Sequence, residues 1–180
     1  MCTELTVRPI GTRPELARVV EYFHNADDTA LRNMGVDRAL LPDPQAWLER
    51  LCRDLNLDNR ERQTFFVSWM NGGHPIGHSN INKIAYGDQA YAHLHLWNKG
   101  ERAGGFGEVL MRQSLEVYFQ QFALRRILCE PYAENLAPNR LLAKLGFRLV
   151  KRYRTVPGVI NFDQDVNLWQ MDAGDLAERA

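Results

Sequence analysis

The chain is predicted to be an α/β protein, an α+β arrangement in which one mixed sheet carries flanking helices. Three observations lead there. Apolar residues recur at helical spacing through positions 12–58, whereas from Thr64 onward short β-rich runs alternate with turn chemistry. Three of those runs follow one another closely enough for an antiparallel meander. After Trp97 the order becomes strand, helix, strand, the pattern of a parallel crossover. At 180 residues, 45% hydrophobic and 24% charged, the chain suits one domain, taken as residues 1–180.

Leu5 to Ile10 is a short β-rich run and the expected first strand. Gly11-Thr12-Arg13-Pro14-Glu15 reads as a helix start, with Thr12 as cap, or Arg13 if Pro14 takes the first helical position. Leu16, Val19, Val20 and Phe23 form the apolar stripe of that helix. A short helix is expected from Asp27-Asp28-Thr29 to about Gly35, and Pro42-Asp43-Pro44 precedes another whose face is Trp47, Leu48, Leu51 and Leu55. Asn56 to Arg62 reads as an exposed loop.

Phe65 to Met70, Ile76 to Ile84 and Ala90 to Trp97 are the meander strands, with Asn71-Gly72-Gly73 and Gly87-Asp88 as their turns. In the third, alternation sends Ala92, Leu94 and Leu96 one way and His93, His95 and Trp97 the other. Gly107 to Phe122 is helical, buried along Met111, Leu115, Tyr118 or Phe119, and Phe122, with Arg112, Glu116 and Gln120 on the wet side. Arg126 to Cys129 is a short strand. Leu136 to Leu145 is a helix closed by Gly146, a residue suited to the left-handed position past a helix end. Phe147 to Thr155 and Asn167 to Met171 are the last two strands, and the polar tail from Ala173 is expected to be dispensable to the fold.

Charge excludes some functions. Lys+Arg and Asp+Glu number 22 each, so no global field draws the protein to nucleic acid or an anionic membrane. Lys151 to Arg154 is too short a basic run for a nucleic-acid patch and reads as the wet face of a strand. Cys2, Cys52 and Cys129 are scattered without C-x-x-C spacing, which argues against a disulfide framework or structural zinc. Free thiols, no apolar run of transmembrane length and no leader-like start point to a cytoplasmic protein.

The stretch of most chemical interest is N-K-G-E-R-A-G-G-F-G-E-V-L, Asn98 to Leu110, which joins a strand to a helix. A glycine-rich loop opening a helix is an anion site, because first-turn N–H groups are unsatisfied and the dipole is positive there. The dinucleotide fingerprint fails, since Leu110 stands where a third glycine should be. A P-loop fails as well: Gly100 and Gly105 are correctly separated, but Phe106-Gly107 replaces Lys and Ser/Thr.

What the loop does match is R-x-x-G-x-G, Arg102 to Gly107, and a second segment agrees with it: Asn135-Leu136-Ala137-Pro138-Asn139-Arg140 followed by Lys144-Leu145-Gly146-Phe147. On these motifs, and on the order of elements over residues 4–172, the chain resembles the GNAT N-acetyltransferase superfamily, in particular the ribosomal-protein alanine acetyltransferases. The resemblance implies about seven strands with a splayed central pair, acetyl-CoA as cosubstrate and an amine as acceptor, either a protein N-terminus or a small molecule. It implies that Arg102, Ala103, Gly104, Gly105, Phe106 and Gly107 hold the pyrophosphate, that Asn135 and Asn139 meet the pantetheine arm, and that the strand of Leu96 and Trp97 offers backbone N–H groups to the thioester carbonyl. Glu130, five residues before Asn135, stands where those enzymes carry a glutamate general base. The tyrosine that often serves as general acid is replaced by Leu142, and Pro138 takes a Ser/Ala place; Tyr132 or bulk water is the substitute acid. His93 and His95 line the acceptor side of the site, and His95 joins Glu130 and Tyr132 as a catalytic candidate.

Plainer roles stand beside these. Glu130 could be solvated or paired with Arg125 or Arg126, and His93 and His95 could be half-buried residues packed beside Trp97. Asp163 and Asp165 could attract a cationic amine or simply be solvated turn carboxylates. H-x-H without a third ligand, even with His74 and His78 nearby, does not make a metal site, and no metal is expected. The predicted partners are acetyl-CoA and an amine, with no nucleic acid or membrane, in a monomer or homodimer. The rival of another class is a non-catalytic acyl-CoA-binding or sensor module.

Overall fold

The structure, a computed structural model, describes residues 4–98, 100 and 104–177. Strand β1 (Leu5–Pro9) is followed by helices α1 (Arg13–Asn25) and α2 (Asp28–Asn33), a 3₁₀ turn (Arg38–Leu40) and helix α3 (Pro44–Leu55). The meander β2 (Thr64–Asn71), β3 (His74–Ala85) and β4 (Gln89–Leu96) leads to α4 (Phe106–Phe122), β5 (Arg126–Cys129), α5 (Leu136–Leu145), β6 (Arg148–Thr155), β7 (Gln164–Asp172) and α6 (Ala173–Ala177). The strands make one seven-stranded sheet in the order β1-β2-β3-β4-β5-β7-β6. The β4–β5 pair is parallel and the others are antiparallel.

Local chemistry accounts for most boundaries. Thr12 is the cap of α1, and its N–H and hydroxyl both donate to Glu15, at 3.1 and 2.7 Å. Gly72 and Gly73, both at positive φ, close the β2–β3 hairpin as a two-residue turn. Gly146 ends α5 at φ 96°.

The two faces of the sheet are packed differently. One lies against α4 and α5, where Leu110, Met111, Leu115, Tyr118, Phe122, Leu142 and Leu145 meet Val67, Trp69, Ile81, Ala92, Ile127 and Met171. Polar groups there are paired: Trp69 Nε1 donates to Ser114, and the Tyr118 hydroxyl to Ser79 at 2.8 Å. A second cluster gathers α1, α2 and α3 around Leu16, Val20, Phe23, Trp47 and Leu51. Two expectations need correction. The segment after Asp172 is not dispensable, because α6 places Leu176 in the α4 cluster, 8% exposed. Arg112 is half-buried, not on the wet side of α4. Among the described residues, no helix is long and apolar enough to cross a membrane.

Candidate active site

Helix α4 starts at the end of the sheet where β4 finishes. Gly105 is its cap, at φ 73° in the left-handed region that disfavours any side chain, although a Cβ there would meet nothing within 4 Å. Its glycine is therefore required by backbone conformation. Gly107 differs: its φ is unexceptional, and a Cβ would make only ordinary contact, 3.4 Å from Leu141 and 3.8 Å from Leu96. The protein itself does not demand glycine there. Arg102 and Ala103 lie outside the described residues. Glu108, in the first turn, is bridged by Lys144 of α5 at 2.5 Å.

Strands β4 and β5 part at the same end. Their ladder runs only through Gln89↔Arg126, Ala90↔Ile127 and Tyr91↔Leu128, while β4 continues to Leu96. Where pairing stops, the Ala92 N–H bonds the Cys129 sulfur, whose thiol is pushed far above its ordinary range by burial and stays protonated at neutral pH. Two residues beyond the last pair, His93 on β4 and Glu130 after β5 follow on the sheet face shared by Tyr91 and Leu128, where the two strands have separated.

Glu130 accepts a hydrogen bond from the Tyr153 hydroxyl. Burial, and then the Glu130 carboxylate, raise the Tyr91 and Tyr153 phenols above their ordinary value, so both remain protonated donors. Neither candidate arginine neutralises Glu130: Arg125 pairs with Asp88 at 2.8 Å and Arg126 faces Asp172 at 4.0 Å. Tyr153 was not singled out from the sequence. Its alternation on β6 is legible, but its approach to Glu130 depends on β7 lying between β5 and β6.

The other predicted residues divide. Tyr132 packs edge-on against Phe162, ring centroids 5.8 Å apart, and lines a cavity of about 900 Å³ with Asp37, Arg38, Arg154 and Asp163. Asp163 and Asp165 are already paired with Arg154 and Arg152. The Trp97 indole N–H donates to His78 Nδ1 at 2.9 Å, in a cluster where His78 stacks on His95 with centroids 4.7 Å apart and Tyr22 and Phe23 meet both rings. His95 is thus packed among aromatic rings, four residues beyond the last β4–β5 pair. Asn135 caps α5, and its Nδ2 donates to the Asn33 carbonyl at 2.7 Å. The Asn139 amide has no capacity left for a cofactor: Nδ2 donates to the Tyr132 and Asn135 carbonyls, and Oδ1 accepts from Asn167 and Trp169. Leu142 is 1% exposed in the core. Among the described residues, no group of three or more potential metal ligands is gathered.

Comparison with known proteins bears on the fold and on the family. No curated protein matches the sequence. Solved structures do. A ribosomal-protein-S5-alanine acetyltransferase from Vibrio fischeri is 18% identical, with 96% of this chain and 94% of that one covered at a TM-score of 0.74. An aminoglycoside acetyltransferase solved with coenzyme A is 18% identical, covering 98% and 99% at 0.72. A dodecameric spermidine N-acetyltransferase from Vibrio cholerae is 16% identical, covering 98% of each chain at 0.73. At such identities these structures bear on the fold. The family is set by the sequence itself: the acetyltransferase (GNAT) domain matches residues 4–148, so the chain belongs to that family and is an acyltransferase of the GNAT type.

Proposed function

We propose that this chain moves an acetyl group from acetyl-CoA to a primary amine, by direct transfer. The observation that carries the reading is the parting of β4 from β5 after three residue pairs, with Glu130 at the mouth of the gap and the glycine-led start of α4 at the same end. Backbone N–H groups of the α4 first turn, with Arg102 and Ala103 before them, would receive the pyrophosphate. The β4 backbone around Leu96 and Trp97 would face the thioester carbonyl, and the Asn135 oxygen would meet the pantetheine arm. Asn139 acts only by positioning Tyr132 and Asn135, through the bonds it makes to their carbonyls.

Glu130, held by Tyr153, takes a proton from the incoming ammonium directly or through a water. The free amine attacks the thioester carbon, the oxyanion is held by backbone donors, and the C–S bond breaks. The thiolate is that of an ordinary thiol, with a pKa of about 8.5, so water or the Tyr132 hydroxyl suffices to protonate it where Leu142 supplies no acid. The acceptor is a protein N-terminus or a small amine.

Glu130→Gln tests this. It is expected to lower kcat/KM by roughly 10²–10⁴-fold at neutral pH, with acetyl-CoA affinity by calorimetry nearly unchanged and a smaller deficit at high pH, where free amine is abundant. Parental activity at neutral pH, or lost acetyl-CoA binding, rejects Glu130 as base. The buried Leu142 is what favours the second reading, a non-catalytic acyl-CoA-binding module. Release of free CoA above the hydrolysis blank in a screen of primary amines rejects that alternative.

A further inference from the structure

On the sheet face that carries Glu130, three buried polar atoms have no hydrogen-bond partner among the described residues: His93 Nε2, Asn82 Oδ1 and, further along beside His95, His78 Nε2. The first two belong to neighbouring rows of the sheet, Asn82 being paired with Tyr91 and His93 with Asn80, so His93 follows the last β4–β5 pair and Asn82 is one row before it on the adjoining strand β3. A buried polar atom without a partner costs about 1–3 kcal/mol, and folded proteins rarely keep two such atoms in neighbouring rows unless a water, an ion or a ligand completes them. We propose that His93 Nε2 and Asn82 Oδ1 form the subsite that receives the attacking primary amine, taking its N–H groups across the gap from Glu130. The proposal rests on acetyl transfer to a primary amine at this gap and adds the surface against which the amine is held.

The chemistry of the site suits a donor-rich guest. Burial holds the His93 imidazole down at about 4, with the Lys83 ammonium adding to the effect, so at neutral pH the ring is uncharged and has an acceptor nitrogen. The charged or titratable groups about it are Lys83 on β3, Tyr91 on β4 and His78, which stacks on His95 further along the face. An amide oxygen, an imidazole nitrogen and a carboxylate are all acceptors, and an amine or ammonium has the N–H groups to meet them. His95 lacks this placement, being enclosed by Tyr22, Phe23 and His78.

n-Butylamine is the probe, because it offers the amine and nothing else that could be recognised. Titrated into the CoA-loaded protein, it is expected to shift the His93 side-chain nitrogen resonances saturably, both in the parent and in Glu130→Gln. In turnover, His93→Leu is expected to raise the KM for butylamine by about tenfold to a hundredfold, whereas His93→Gln, whose side-chain oxygen reaches the place of Nε2, stays within about fivefold of the parent. Acetyl-CoA affinity is expected to stay within about twofold in both. A His93 resonance indifferent to butylamine, a His93→Leu protein with parental KM, or equal losses in the two variants would overturn the subsite. If Glu130→Gln is fully active while the His93 shift persists, the base is wrong and the subsite stands.

Discussion

Asn139 illustrates how the side chain of a motif residue can be fully bonded within its own chain. It is 8% exposed and joins three pieces of chain: the turn from Tyr132 to Asn135, the start of α5, and β7 through Asn167 and Trp169. Asn139→Ala leaves the indole N–H of Trp169 and the amide of Asn167 without their acceptor. The expected loss is about 2–4 kcal/mol, the scale of one or two buried unsatisfied groups, read as a lower urea midpoint with an unchanged slope. A midpoint at the parental value would show that other groups take up both donors. The asparagine was legible as part of a motif; its role was not, because its partners are 28 and 30 residues away in the chain.

At the scale of the element, α4 sets two kinds of glycine beside one another. Gly105→Ala forces a side chain into a left-handed conformation and should cost about 1–2 kcal/mol of stability, measured by thermal or urea unfolding. Gly107→Ala meets no such strain and only ordinary contact, so its stability should be near parental, while on the proposed pyrophosphate reading CoA affinity by calorimetry should fall by about tenfold or more, since an added methyl group would narrow the approach to the first-turn N–H groups. Parental CoA affinity in a folded Gly107→Ala protein would remove the first turn of α4 from the pyrophosphate site. The spacing of glycines marks both positions alike in the sequence. Only the backbone angles distinguish them.

For the whole molecule, two buried histidines on one sheet face make stability depend on pH. Burial holds His78 at about 3 and His93 at about 4, against 6.5 for the free imidazole, and His78 Nδ1 already accepts the Trp97 indole N–H. These folded values lie below the unfolded one, so in the window from 6.5 down to about 4 the unfolded chain binds protons that the folded chain refuses. Stability is full above that window and falls with acid by about 1.4 kcal/mol per pH unit for each histidine. Thermal unfolding followed from pH 7 to pH 5 should show a falling Tm, and the slope should flatten in the His78→Leu, His93→Leu double variant. An equal slope in the double variant would assign the acid sensitivity to other groups.

Local pattern was enough to determine that the chain has a helical first third, a glycine-turned meander, a glycine-led α4 and a parallel crossover into β5, since each depends on residues within a few positions of one another. The Arg102–Gly107 and Asn135–Phe147 motifs likewise identified the family, and Glu130 as the carboxylate to consider. The surroundings of Glu130 were decided by tertiary structure. The order β5-β7-β6 carries Tyr153 across β7 to the carboxylate, and the end of the β4–β5 ladder at Tyr91↔Leu128 makes His93, rather than His95 or Trp97, the same-face β4 residue next to the parting. Strand order and register follow from the packing of segments distant in the chain, and one residue of slip would turn every side chain to the other face. No short stretch of sequence contains that information.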